Sequence, residues 1–214
     1  MYPRALIFAN GSLPDLQAAR RLVRPDDLLL AADGGSRHAL ALGLLPAAVI
    51  GDLDSLSVAD RRRLEAGGAR LITHPPDKDQ TDLELALDFA LQQDCAAVVI
   101  LAALGGRLDQ TLANLALLTA PRFAALPIRL DDGLEEAFFV RSRADLAGRP
   151  GDLVSLLPWG GPAAGVVTEG LRWPLRAETL YPEQTRGVSN ELLAEQAAVS
   201  LASGLLLVVH RRQK

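Results

Sequence analysis

The 214-residue sequence has a single cysteine, Cys95, so the chain cannot form an internal disulfide bond. It also lacks an excess of basic residues. The net charge of -4 argues against the basic face that proteins need to grip a nucleic-acid backbone. The opening MYPRALIFANGS has too short an apolar run for a signal peptide or a membrane span. We therefore expect a cytoplasmic protein that binds neither nucleic acid nor a membrane.

Several common functional motifs are missing too. The sequence contains no GxxxxGK[ST], no GxGxxG after its first apolar run, no GxSxG and no CxxC, which disfavours ordinary P-loop enzymes, dehydrogenases and serine hydrolases. The three histidines, His38, His74 and His210, lack the spacing of metal ligands, so we expect them to be surface or packing residues. Lysine is scarce and occurs only at Lys78 and Lys214. An internal lysine in an arginine-rich chain indicates that a compact ammonium is needed there.

The hydrophobic fraction of 49% and charged fraction of 22% are typical of a folded globular protein. In residues 1–131, short apolar runs alternate with helical patterns, which predicts an α/β domain with a parallel sheet covered by helices on both faces. Residues 132–214 contain β-rich segments separated by Gly, Pro and Asp, which predict a second, antiparallel domain, with a hairpin turning at Ser203–Gly204. The six predicted parallel strands are ALIFAN, DLLLAA, AAVI, RLITH, AAVVILAAL and LPIRL.

One predicted helix follows Thr81. Its apolar residues recur at helical spacing, which predicts a buried stripe; they are Leu83, Ala86, Leu87, Ala90 and Leu91. Thr81 and Glu84 have the spacing of a capping box, so Asp82 falls in the first turn, where the helix dipole favours an anion.

Acidic side chains follow several predicted strands, and the carboxyl ends of parallel strands are where ligands bind. In GDLDS, Asp52 and Asp54 point the same way if the segment is extended. Clustered carboxylates favour a hard cation, and Asp52, Asp54 and Asp82 are the predicted Mg²⁺ ligands. A solvated turn is the alternative reading of GDLDS alone. A second acidic cluster at 77–82, which contains Lys78, favours the functional reading.

Glycine pairs follow two other strands, in DGG at 33–35 and GGR at 105–107. Glycine lets backbone N–H groups approach a phosphate closely, so Gly34 and Gly35 are predicted nucleotide-binding residues, although tight turns alone also explain them. The guanidinium of Arg107 can donate two hydrogen bonds to a phosphate, and a local ion pair with Asp109 is its alternative role.

In this order, the motifs resemble the thiamine pyrophosphokinase (thiamine diphosphokinase) family. The blocks that carry the resemblance are ADGG at 32–35, GDLDS at 51–55, DKDQTDLELAL at 77–87, GGRLDQTLAN at 105–114 and GVSNELL at 187–193. The resemblance implies a nucleotide- and Mg²⁺-binding α/β domain, a C-terminal β-sandwich that binds thiamine, and a homodimer. The sequence departs from the family pattern at Leu53, where Phe is usual, and at Gln110, where many bacterial members carry His.

The resemblance also implies roles for single residues. Asp33, Arg107 and Gln110 match positions around the nucleotide, and Lys78, Asp109, Ser189 and Asn190 match positions near thiamine or its phosphates. Lys78 and Thr81 are also predicted nucleotide-binding residues. The residue that stacks on thiamine stays open among Trp159, Trp173 and Tyr181.

The implied reaction is attack of the thiamine hydroxyl on the β-phosphorus of ATP, giving thiamine diphosphate and AMP. Asp79 and Asp109 are alternative proton acceptors. Two other functions remain open from the motifs: a pyrophosphokinase for another alcohol, such as a hydroxymethylpterin, and a non-catalytic nucleotide sensor.

Overall fold

The computed structural model describes residues 3–213, which divide into two compact units, 3–133 and 134–213. In the first unit, six strands form a parallel sheet in the order β6-β5-β1-β2-β3-β4, and all six were predicted from their apolar runs. They are β1 (Ala5–Phe8), β2 (Leu28–Ala32), β3 (Ala48–Gly51), β4 (Arg70–Thr73), β5 (Val98–Leu101) and β6 (Ile128–Asp131).

Five helices connect these strands: α1 (Leu16–Leu22), α2 (Ser36–Ala41), α3 (Val58–Ala66), α4 (Asp82–Gln92) and α5 (Leu108–Leu117). Every residue of β1, β3 and β5 is buried, as expected for parallel strands that helices cover on both faces. Within residues 3–213, every helix is too short or too polar to cross a membrane.

Helix α4 begins where the sequence predicts. The Thr81 hydroxyl accepts a hydrogen bond from the Glu84 backbone N–H, which caps the helix and places Asp82 in its first turn. Four of the five stripe residues are buried, but Leu91 is 37% exposed, so its predicted burial was wrong. Leu91 is one position past Ala90 and lies at the edge of the buried face.

The strand order changes direction beside β1. The chain runs outward from β1 through β2, β3 and β4, and then returns to place β5 on the other side of β1. Such a switch point opens a crevice between the loops that leave the two adjacent strands, and ligands of open parallel sheets bind there. The loops after β1 and β5 are therefore the first place to look for a site.

The second unit is a sandwich of two four-stranded antiparallel sheets, which confirms the predicted fold class. One sheet has the order β12-β9-β14-β7 and the other β11-β10-β13-β8. The strands are β7 (Glu135–Val140), β8 (Arg143–Ala147), β9 (Leu153–Pro158), β10 (Ala163–Glu169), β11 (Arg176–Leu180), β12 (Asn190–Glu191), β13 (Gln196–Ser200) and β14 (Leu206–Arg211).

The predicted hairpin at Ser203–Gly204 was wrong. The chain does turn there, but β13 pairs with β8 and β10, whereas β14 pairs with β7 and β9 in the other sheet. The turn therefore carries the chain from one sheet to the other. Strand β14 lies between β7 and β9, which explains why its first four residues, 206–209, are all apolar.

Candidate active site

A cavity of about 560 Å³ opens at the switch point of the parallel sheet. Its walls come from the loop after β1, the loop after β5, the end of β2 and the start of α4. The lining includes six of the predicted site residues: Asp33, Lys78, Thr81, Asp82, Arg107 and Gln110. Chain topology thus brings together side chains that are up to 77 residues apart in sequence, Asp33 and Gln110.

Three carboxylates meet beside this cavity. One oxygen each of Asp33, Asp52 and Asp82 lies within 4.8 Å of the others. Asp33 follows β2, Asp52 follows β3 and Asp82 starts α4, so neighbouring strand ends bring them together. Asp33 is only 5% exposed, and within residues 3–213 its Oδ1 has no hydrogen-bond partner. A buried carboxylate oxygen without a donor is costly unless a cation is present.

Gly51 makes this approach possible. A Cβ atom at Gly51 would lie 2.9 Å from Asp33 Cβ and 2.9 Å from Asp82 Cγ, which is closer than real Cβ contacts allow. Its φ of 152° is also one that side-chain-bearing residues rarely adopt. Glycine is therefore needed at this position of GDLDS for a steric reason, because it leaves room for the side chains of two of the aspartates.

Lys78 is the cation nearest to the cluster in the described part of the chain. Its Nζ lies 3.0 Å from Asp82 Oδ1 and 4.0 Å from Asp52 Oδ2, and it donates a hydrogen bond to the Pro75 carbonyl. Burial raises the pKa of Asp82, the ammonium of Lys78 opposes that shift, and the nearby charges of Asp52 and Asp33 add to it. One ammonium therefore offsets only part of the negative charge of three carboxylates.

Asp54 lies differently from the prediction. The argument that Asp52 and Asp54 point the same way assumed extended backbone, but Leu53 between them has φ 64°, in the left-handed region, so that argument was wrong. Asp54 is exposed, and its backbone N–H donates to Asp52 Oδ1 at 3.2 Å. Asp33 stands in the cluster instead, and the role of Asp54 as a metal ligand stays a prediction.

The other predicted nucleotide residues divide into two groups. Gly34 and Gly35 are buried, and a Cβ at Gly35 would lie 2.0 Å from the Phe8 carbonyl oxygen, so close packing of the DGG turn on β1 already requires glycine. Arg107 is exposed and forms the local ion pair with Asp109 that the sequence offered as its alternative role. That pair raises the pKa of Arg107 and lowers the pKa of Asp109.

Asp79, one of the two alternative proton acceptors, is exposed and does not line the cavity in the described chain. Asp109 is engaged by Arg107. Neither arrangement selects between them, and both remain predictions.

The predicted thiamine residues of the second unit lie at the start of strand β12. Asn190 is 4% exposed, and its side chain accepts from the Trp173 and Glu191 backbone N–H groups and donates to the Trp173 carbonyl at 2.7 Å. Ser189 has φ 58° and donates its backbone N–H to Ser155 Oγ at 3.0 Å. Trp173, which Asn190 holds in this way, is 46% exposed.

Sequence reasoning missed a buried group of ionisable side chains in the same unit. His210 is fully buried, and its two ring nitrogens lie 3.0 Å from Glu136 Oε1 and 3.1 Å from Asp152 Oδ2. Burial alone lowers the pKa of His210, but the two carboxylates outweigh it and the pKa is raised. No local motif signals this contact, because the partners are 74 and 58 residues away.

Comparison with known proteins identifies the family. Residues 19–130 match the model described as "Thiamin pyrophosphokinase, catalytic domain", and residues 141–206 match "Thiamin pyrophosphokinase, vitamin B1 binding domain". The chain belongs to the thiamine pyrophosphokinase family. The family resemblance drawn from the sequence motifs is thereby confirmed, and the chain is a member of an enzyme family.

The relatives agree over most of their length. Thiamine pyrophosphokinase of Bacillus subtilis (strain 168) is 30% identical over 85% of this chain and 86% of the relative, and thiamine pyrophosphokinase 1 of Oryza sativa subsp. japonica is 25% identical over 78% and 67%. The crystal structure of the Bacillus subtilis enzyme matches with a TM-score of 0.89 at 26% identity, covering 99% of this chain and all of that one. Thiamin pyrophosphokinase from Candida albicans, at 15% identity and a TM-score of 0.78 over 98% and 90% of the two chains, shares the fold.

Proposed function

We propose that this protein transfers the pyrophosphoryl group of ATP to the hydroxyl of thiamine, forming thiamine diphosphate and AMP. The cluster of Asp33, Asp52 and Asp82 beside a cavity at the sheet's switch point supports this reaction, since it can neutralise and orient a polyphosphate. The family assignment supplies the substrates, because its members use ATP and thiamine. It disfavours both a pterin pyrophosphokinase and a non-catalytic sensor.

We propose Mg²⁺ as the cofactor. The three carboxylates offer only oxygen ligands, and one of those oxygens is buried without a donor, which fits a hard divalent cation. Asp33, Asp52 and Asp82 would hold the ion, and Asp54 is the remaining candidate from the sequence. When bound, the ion supplies charge neutralisation for the phosphate oxygens.

The residues of the chain would do the rest by positioning. In the reaction, the thiamine hydroxyl oxygen forms a bond to the β-phosphorus, the bond from that phosphorus to the bridging oxygen of AMP breaks, and the hydroxyl proton is lost. Lys78, which borders both the cavity and the carboxylates, is placed to contact a phosphate oxygen. Arg107 and Gln110 line the same cavity and can donate hydrogen bonds to the nucleotide.

The remaining assignments rest on the family. Residues 1–131 are proposed to bind the nucleotide and residues 132–214 to bind thiamine, with Ser189 and Asn190 near it, which the name of the second family model supports. A homodimer is proposed on the same resemblance, and a cytoplasmic location is proposed on the single cysteine, which cannot form an internal disulfide bond.

A reaction with competing acceptors tests the proposal. The purified protein is incubated with ATP, Mg²⁺ and either thiamine or a hydroxymethylpterin, and AMP and the acceptor product are followed by mass spectrometry. We expect AMP and thiamine diphosphate in equal amounts with thiamine only. Product with the pterin alone, or nucleotide binding without any product, would reject thiamine as the acceptor.

An Asp52→Asn variant tests the metal site in the same assay, because it removes the charge of one proposed ligand without changing the volume of the side chain. We expect it to remain folded by circular dichroism and to lose most of its turnover.

A further inference from the structure

The loop after β1 carries an asparagine that neither the family resemblance nor the reaction above uses. Asn10 lines the cavity, in the loop that leaves the strand beside the switch point. Its side-chain Oδ1 accepts a hydrogen bond from Arg37 Nη2 at 2.7 Å. The contact links two segments 27 residues apart, the loop after β1 and helix α2.

This contact settles which way the Asn10 amide faces. A guanidinium has only donors, so the atom of Asn10 that it touches must be the oxygen. Within residues 3–213, the two N–H groups of Nδ2 have no hydrogen-bond partner and can donate to another acceptor. Asn114, which lines the same cavity, has the opposite arrangement, because its Nδ2 donates to the Ala103 carbonyl at 3.0 Å. One of the two N–H groups of Asn114 is therefore engaged, whereas neither N–H group of Asn10 is engaged within the described residues.

Further contacts hold the Asn10 loop, the DGG turn and helix α2 together. Arg37 Nε also donates to the Gly34 carbonyl at 3.2 Å, so one guanidinium fixes both the DGG turn and Asn10. A Cβ at Gly34 would lie 2.6 Å from Asn10 Nδ2, so the amide occupies the space that glycine leaves. His38 adds a second link from α2, with Nε2 2.9 Å from the Gly11 carbonyl oxygen.

We propose that Asn10 Nδ2 donates a hydrogen bond to a phosphate oxygen of the bound nucleotide, and that Arg37 is a positioning residue that holds the amide in this orientation. The inference rests on the proposed function, because it takes the nucleotide to occupy this cavity. Phosphate is the fitting acceptor: the cavity also presents Lys78 and Arg107, both cations, and a phosphate oxygen only accepts.

The test measures nucleotide binding apart from turnover. The α,β-methylene analogue of ATP cannot undergo the transfer, so its Kd, measured by isothermal titration calorimetry with Mg²⁺, does not depend on the acceptor. Asn10→Asp keeps the oxygen that Arg37 holds, loses both N–H groups and adds a negative charge. We expect its Kd for the analogue to rise about tenfold to a hundredfold, as for a lost hydrogen bond to a charged group. The KM for thiamine should stay the same.

Arg37 is tested by a double-mutant cycle. Arg37→Met should raise the Kd for the analogue several-fold in the wild-type background, but add little to an Asn10→Ala variant, because its effect acts through the Asn10 amide. Arg37→Lys, which can hold only one of the two oxygens, should recover part of the affinity. Arg61→Met, which removes an exposed arginine paired with Glu65 on α3, is the matched control and should bind as the wild type does.

Two results would overturn the proposal: unchanged affinity in Asn10→Asp, or fully additive effects of Asn10→Ala and Arg37→Met. Failure of the proposed function looks different, since the wild type would then bind the analogue but make no thiamine diphosphate.

Discussion

Replacing Asp33 with asparagine separates the two candidates for the third metal ligand, Asp33 from the geometry and Asp54 from the sequence. Without metal, Asp33 is a buried anion close to two others. Two unit charges 4.8 Å apart, the upper limit of the separations in the cluster, repel by about 3.5 kcal/mol at an effective dielectric constant near 20. Lys78 offsets part of this repulsion, and the partial exposure of Asp52 and Asp82 weakens it further.

We therefore expect the Asp33→Asn variant to be more stable than the wild type in EDTA, by roughly 1–3 kcal/mol. For a chain of this size that corresponds to a rise in Tm of roughly 2–10 °C. With Mg²⁺, the Asp33→Asn variant should lose much of this stability advantage over the wild type. An ion at about 100 times its Kd stabilises the wild type by about 2.7 kcal/mol, and the variant should lose most of that gain because it lacks one ligand charge.

The assay is thermal unfolding followed by circular dichroism, in EDTA and across a Mg²⁺ titration. Asp54→Asn is the matched control: it makes the same chemical change at an exposed residue two positions from Asp52. We expect its Tm in EDTA to change little and its Mg²⁺ response to be kept. If Asp33→Asn is destabilised in EDTA, or if Asp54→Asn loses the Mg²⁺ response while Asp33→Asn keeps it, the cluster has been misassigned.

Three further changes test other parts of the structure. Gly51→Ala introduces a Cβ into contact with two carboxylates, so the free energy of unfolding in urea should fall by about 1–3 kcal/mol. Thr81→Ala removes the cap of α4 and should lower it by about 1 kcal/mol in the same assay. Because the pKa of His210 is raised, its stabilising effect should be complete below pH 6.5 and be lost as the pH rises through the raised pKa. The pKa of Asp152 is lowered, so its contribution should be lost below about pH 3.8. Urea unfolding of wild type and His210→Gln from pH 3 to 9 should therefore show the largest difference between these limits; a difference that grows above pH 6.5 would contradict the pairing.

The parallel sheet was predictable because its strands are short apolar runs, and each run is buried on both faces. The strands β8 and β11 were missed for the opposite reason: three of the five residues of each strand are exposed, and both strands carry charged residues. The false hairpin shows a different limit. A local pattern marks the turn at Ser203–Gly204 but carries no information on which sheet each strand joins, since pairing is decided by residues far along the chain.

At the site, chemistry was easier to predict than geometry. The residue types indicated a hard cation, and Asp52 and Asp82 do lie together. Asp33, the third member of the cluster, was predicted near the nucleotide and not as a metal ligand. The choice of Asp54 came from alternation along GDLDS, which assumes an extended backbone, whereas Leu53 adopts φ 64°. Its place directly after β2 put Asp33 at the correct edge of the sheet, because the ends of adjacent parallel strands meet there, but that placement alone does not distinguish a metal ligand from a nucleotide contact.

The most direct test of the proposed reaction follows the phosphorus atoms of ATP. The ATP carries ¹⁸O in the non-bridging positions of its β- and γ-phosphoryl groups and is incubated with thiamine, Mg²⁺ and the protein. The masses of the products are then measured by mass spectrometry. Attack at the β-phosphorus predicts thiamine diphosphate that carries both labelled groups, together with unlabelled AMP. Thiamine monophosphate carrying one labelled group, with ADP as the other product, would contradict pyrophosphoryl transfer.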